Sequence, residues 1–216
     1  MPKLPNVVFV HGSGQSGLSV NYLQVFLPEC NLLTLEYAVQ ENPDDILERF
    51  DKEVNDTFGE EHYHIIAHSY GCLLSTLLAD KTKRVLTMVT MSAPWGGSHT
   101  ARWISMVFRQ SKLFSNVKPN SMFLQDIQKI QLSIPVANII TTGSNGSAND
   151  LAGLGSQHND GLLTVETQKK LPSKFIYAKS IELPLSHNEV LLSFDTINII
   201  KQHIFGDTSG TEYFTE

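Results

Sequence analysis

The sequence predicts an α/β architecture, a mostly parallel sheet of about six strands with helices packed on both faces. Three observations carry that expectation. Short apolar runs rich in β-branched residues recur along the chain, without the in–out alternation of a strand that keeps one face in water. Segments with helical spacing of apolar residues stand between them, and strands alternating with helices close into a parallel sheet through right-handed crossovers. Third, 216 residues with 41% hydrophobic and 18% charged content suit one soluble globular domain. It is placed at 1–206, with a polar tail over 207–216.

Taken in order, Asn6-Val7-Val8-Phe9-Val10 reads as a strand buried on both faces. It runs into a glycine-rich loop, His11 to Gly17, and a helical pattern from Val20 to Leu27 follows. The run Asn31 to Tyr37 is the next strand. Asn42-Pro43-Asp44-Asp45 combines a capping residue, a first-turn proline and early acids. The helix it opens carries Ile46, Leu47, Phe50, Val54 and Phe58 on one face. A strand over Ile65 to Ala67 stops abruptly at Ser69, and a helical pattern (Leu73, Leu74, Leu77, Leu78) starts just after it. Val85 to Met91 is a further strand, and then the rhythm breaks. A long block over 96–134 precedes the strand Val136 to Thr141; a last strand falls within Lys174 to Leu183. A final amphipathic helix bears Val190, Leu191, Phe194, Ile197, Ile200 and Ile204.

Composition excludes several classes. A net charge of −6 with no long basic run speaks against general nucleic-acid binding. No apolar stretch reaches the ~18 residues of a membrane span. Met1-Pro2-Lys3-Leu4-Pro5 leads straight into a strand, leaving no room for a signal peptide, so a cytoplasmic location is expected. The two cysteines, Cys30 and Cys72, read as buried thiols and not as a disulfide framework.

The chemistry centres on Ala67-His68-Ser69-Tyr70-Gly71. A serine at the tip of a sharp strand-to-helix turn stands clear of the sheet, and small residues two before and two after let strand and helix approach. Serine needs a histidine base held by a carboxylate, and in this arrangement acid and then base follow the serine along the chain. His187, between the last strand and the last helix, meets that requirement. His203 lies inside the final helix as a surface residue, His99 comes too early, and His11 and His68 flank the site. Asp160, in the tight His-Asn-Asp-Gly turn, is preferred as the acid over Asp150 in a loose polar loop. Backbone N–H groups of Ser13 and Tyr70 are the expected oxyanion donors. The 96–134 block, apolar and carrying five basic residues against one acid, reads either as a helical cap over the site or as a plain insertion using its apolar face as core. As a cap it would bring Trp103, Phe108 and Met122, with Trp95 just before it, to the substrate, and its basic surface to anionic lipid.

The glycines admit a rival. Gly12, Gly14 and Gly17 have the G-x-G-x-x-G spacing, and Glu36 stands at the end of the next strand, where a dinucleotide fold places its ribose acid. His11 before the first glycine, and no further nicotinamide signature, weigh against it.

With these residues assembled, the chain resembles the α/β-hydrolase superfamily over nearly its whole length. Ala67-His68-Ser69-Tyr70-Gly71 is similar to the elbow of small bacterial lipases. Ser92-Ala93-Pro94-Trp95-Gly96-Gly97-Ser98 resembles a segment of lipase-like esterases and inositol deacylases, and Asn159-Asp160-Gly161-Leu162-Leu163 their acid turn. The resemblance implies carboxylic-ester hydrolysis without a cofactor, on a small-molecule or lipid acyl ester. It also leaves open a thioesterase or acyltransferase with the same triad, or a non-catalytic ligand-binding member. The chain begins where the family's third strand would be, and Ala67 replaces the more usual glycine.

Overall fold

The computed structural model describes residues 3–98, 115–144 and 157–206. Among these residues there are six strands: β1 (Asn6–Val10), β2 (Asn31–Leu35), β3 (Tyr63–His68), β4 (Val85–Met91), β5 (Leu132–Thr141) and β6 (Phe175–Leu183). They form one sheet in the order β2-β1-β3-β4-β5-β6, and every neighbouring pair is parallel. This is the six-stranded parallel sheet the sequence predicts.

Both faces of the sheet are covered, which explains the unbroken apolar runs. Within β1, Val8 and Val10 pack with the helices on one face while Val7 and Phe9 pack on the other. All four are fully buried, each contributing roughly 1.5–3 kcal/mol by leaving water. The first face is covered by α2 (Pro43–Phe58) and α3 (Tyr70–Thr82), the second by α1 (Asn21–Phe26) and the C-terminal helices. As expected, Asn42 caps α2, its side chain accepting the Asp44 N–H, with Pro43 in the first turn and Asp44 and Asp45 at the positive end.

Three expectations change, and one left open is partly decided. The final helix is not continuous: a 3-10 turn over Glu189–Leu192 is followed by α6 (Phe194–Ile200) and a π turn over Lys201–Phe205. The break is at Ser193, whose extended backbone and side-chain oxygen cap the Asp195 N–H and restart the helix; Phe194, expected in the core, is left exposed. Of the 96–134 block, residues 99–114 lie outside the described residues. Its second half contains α4 (Met122–Ile127) and packs as core: Val117, Leu124 and Ile127 join the cluster on the α2–α3 face. Finally, Cys72 is buried, and burial pushes its thiol up, but Cys30 is partly exposed; both are free. His203, expected at the surface, is partly buried against the Pro135 carbonyl, and burial holds its pKa down.

The strand order fixes where a site can form. The chain pairs β2 on one side of β1 and then crosses to β3 on the other, so the sheet's direction of growth reverses between β1 and β3. A crevice opens at the carboxyl ends of strands beside such a reversal. The loops after β1 and β3 meet there.

Candidate active site

Ser69 follows β3 directly and precedes α3. Its backbone has φ 52° and ψ −125°, a conformation an L-residue adopts only under constraint. That constraint is visible: the Ser69 N–H donates to the Met91 carbonyl at 2.8 Å, and the Cys72 N–H returns to the Ser69 carbonyl at 3.0 Å. Position 71 must be glycine because a Cβ there would lie 2.4 Å from the His11 carbonyl oxygen and 2.5 Å from that of Val10. Strand β1 and the start of α3 are in backbone contact at this point.

His187 leaves β6 by a short loop and turns back to the serine. Its Nε2 lies 3.0 Å from Ser69 Oγ, and its Nδ1 lies 2.8 Å from Asp160 Oδ2. The main chain repeats the link, with His187 N–H donating to the Asp160 carbonyl at 2.9 Å. Asp160 sits in a turn opened by Gly161 at φ 98°. One carboxylate oxygen accepts the N–H groups of Leu162 (2.9 Å) and Leu163 (2.7 Å). The other accepts from the Thr141 hydroxyl at 2.6 Å and from Gln168 Nε2 at 3.2 Å, besides the His187 contact. Burial alone would push this carboxyl up. The His187 ring, the Thr141 hydroxyl and the Leu163 N–H outweigh it and hold Asp160 below the ordinary carboxylate range.

Thr141 and Gln168 escaped the sequence reading. Gln168, on α5 (Val165–Lys169) and fully buried, accepts the Thr141 N–H at 2.9 Å and donates to the Thr141 carbonyl at 3.0 Å. It thereby docks its amide on the end of β5 and its second N–H on Asp160. Ser92 extends the chain, its hydroxyl 2.8 Å from that of Thr141. No local motif announces these contacts; a polar residue at the end of β5 and a glutamine in a short helix are the only signals.

Beside Ser69 lies a cavity of about 320 Å³. Ser13 and Tyr70 line it, with Gly12, Gly14, Gln15, His68, Asn188 and an apolar side of Pro94, Val117, Leu162 and Leu163. Two expected substrate contacts are displaced. Trp95 is buried in the core, its Nε1 donating to Asn138 Oδ1 at 3.0 Å and its ring edge-on to Phe175, and it borders a second groove away from the serine. Met122, the first residue of α4, is 80% exposed and lines neither cavity. Trp103, Phe108 and Asp150 lie outside the described residues, as does His99.

The glycine loop serves the protein itself. Gly17 N–H donates to Glu36 Oε1 at 2.6 Å, and Glu36 Oε2 lies 3.1 Å from His11 Nε2. The ring of His11 is fully buried and stacked on Tyr37. The carboxylate that a dinucleotide would need is thus engaged by its own loop.

No protein-family model and no curated protein sequence matches the chain. Solved structures do. The mature lipase BlEst2 of Bacillus licheniformis superposes with a TM-score of 0.69 at 14% identity, over 93% of this chain and 91% of that one. The carboxylesterase CesB of Bacillus subtilis gives 0.64 at 13% identity, over 95% and 86%. Phospholipase PlaB of Legionella pneumophila gives 0.64 at 15% identity; the match covers 77% of this chain but only 46% of PlaB. The fold is therefore the α/β-hydrolase fold, shared with lipases and esterases.

Proposed function

We propose that the chain is a serine hydrolase of carboxylic esters, with Ser69 as nucleophile, His187 as base and Asp160 as its partner. The observation that carries this reading is the unbroken line from Ser69 Oγ through both His187 nitrogens to a buried, ionised Asp160. An ionised acceptor at Nδ1 keeps the ring proton there, so Nε2 offers its lone pair to the serine hydroxyl. His187 removes the Ser69 proton as Oγ attacks the ester carbonyl. The resulting oxyanion accepts N–H groups of Ser13 and Tyr70, the latter at the positive end of a 13-residue helix. The imidazolium returns its proton to the leaving alcohol, and water repeats the sequence to release the acid.

The lipase, carboxylesterase and phospholipase among the structural neighbours support an ester substrate, and the apolar cavity wall suits its acyl group. Hydrolysis of p-nitrophenyl esters of increasing acyl length, by wild type and Ser69→Ala, tests the proposal. The variant should lose at least ~10³-fold in kcat; an active variant refutes the assignment. Thioester substrates and added alcohol acceptors in the same assay separate esterase from thioesterase and acyltransferase.

A second reading, a nucleotide at the Gly12–Gly17 loop, is favoured by its glycine spacing and by PlaB, which has also been solved in complex with thio-NAD. The engagement of Glu36 opposes it. Absence of heat or thermal shift on titration with a nicotinamide dinucleotide would end it.

A further inference from the structure

One side chain touches all three loops that converge on Ser69. Gln15 Oε1 accepts the Gly12 N–H at 3.0 Å, and the Gln15 N–H donates to the Gly12 carbonyl at 3.1 Å, so the loop carrying Ser13 is clipped from both ends. The same Oε1 lies 3.0 Å from Nδ1 of His68, the residue before the nucleophile. Gln15 Nε2 donates to Asn188 Oδ1 at 3.1 Å, on the loop of His187. His68, almost fully buried, continues the link: its Nε2 meets the His187 carbonyl at 2.8 Å. The space between them is filled, because a Cβ on Gly12 would fall 2.8 Å from His68 Nδ1 and 3.1 Å from Ser69 Cβ.

We infer that Gln15, acting through His68, is a positioning residue that fixes the separation between the Gly12–Ser13 backbone and the backbone of His187. The inference rests on the triad reading, under which those two segments hold the oxyanion and the base.

The protons in this cluster show what the amide leaves unmet. Burial, and then the neighbouring His187 ring, push the His68 pKa down to about 3, so the ring carries one proton at neutral pH. A carbonyl only accepts, which places that proton on Nε2. Nδ1 then presents a lone pair to Gln15. With Oε1 toward it, two acceptors face each other; with the amide turned, Nδ1 gains a donor but the Gly12 N–H loses its acceptor. Either way the cluster is one proton short. A carboxylate at position 15 would take both the Gly12 N–H and an N–H from a doubly protonated His68. The titratable groups that face His68 are His187, whose ring centre is 5.0 Å away, Asp160 and His11.

Two variants of the whole chain test this. Gln15→Leu keeps the size and removes every hydrogen bond of the side chain, leaving the backbone one to Gly12. Its kcat per active site, with sites counted by the p-nitrophenol burst, should fall roughly ten- to a hundredfold, with KM within about twofold. A residue that merely supported the fold would lower the number of active sites and leave the kcat of each unchanged, and that result overturns the inference. Gln15→Glu, to which Asn188 can donate once its amide turns, should recover most of the lost kcat, and the NMR titration of the His68 ring should move up from about 3 toward neutrality. A Glu variant more than tenfold below wild type in kcat per active site, with the His68 titration unmoved, also overturns it, and does so even if the Leu variant does not fold. Full activity in Ser69→Ala would instead remove the triad reading itself.

Discussion

At the scale of residues, the elbow is decided by contacts too short to negotiate. Gly71 touches the carbonyl oxygens of Val10 and His11, so Gly71→Ala must part β1 from α3 or move Ser69. Urea unfolding should show a loss of about 3 kcal/mol, and the proposed ester hydrolysis should slow even in the fraction that folds. This part of the site was legible, because a tight turn dictates small residues at fixed offsets from its serine, and Ala67 and Gly71 stand there. Asp160 and His187 were legible for a related reason: the topology orders them after the serine, and only a few loop positions qualify. Thr141, Gln168 and Gln15 were not. Each is an ordinary polar residue whose partner lies 19, 8 and 53 positions away, so no spacing rule reaches it. Trp95 misled for the opposite reason. A bulky ring beside the site invites a substrate role, but Asn138 on β5 offered its indole N–H a buried acceptor and drew it inward.

At the scale of elements, strands were read more faithfully than the final helix. A strand covered on both faces writes itself as a continuous apolar run, and Val85–Met91 agrees residue for residue with expectation. A helical face says less about continuity, since a 3-10 turn, an α-helix and a π turn in succession keep nearly the same residues inward. Ser193 is the signal that was passed over. It ends one element and caps the next, so Ser193→Ala should destabilise the fold by about 1 kcal/mol in a thermal or urea melt without altering activity per active site. A neutral result would mean that packing of Ile197 and Ile200 alone holds α6 in place. The 96–134 block was ambiguous for a physical reason too: the same apolar face suits a cap or a core, and its described half chose the core.

At the scale of the whole molecule, stability should fall in acid. The folded pKa of His68 lies near 3, below an unfolded value of about 6.5. Its contribution is therefore complete above that unfolded value and is lost as pH falls toward 3. His64 and His203 are shifted in the same direction, and Asp160, also lowered, adds its loss below about pH 3.9. Urea midpoints should decline through this range, and less steeply in a His68→Asn variant; a flat profile would contradict the burial of the ring. The sheet order has one more consequence. The strand that leads into Ser69 is central, whereas His187 follows β6, an edge strand and the last of the six described to be laid down. On the ribosome, where folding proceeds from the amino end, the serine can be in place long before anything is able to activate it. Under the proposed chemistry the nascent hydrolase stays silent until the stretch carrying His187 emerges, and clipping the chain ahead of it would switch the protein off while most of the sheet stands.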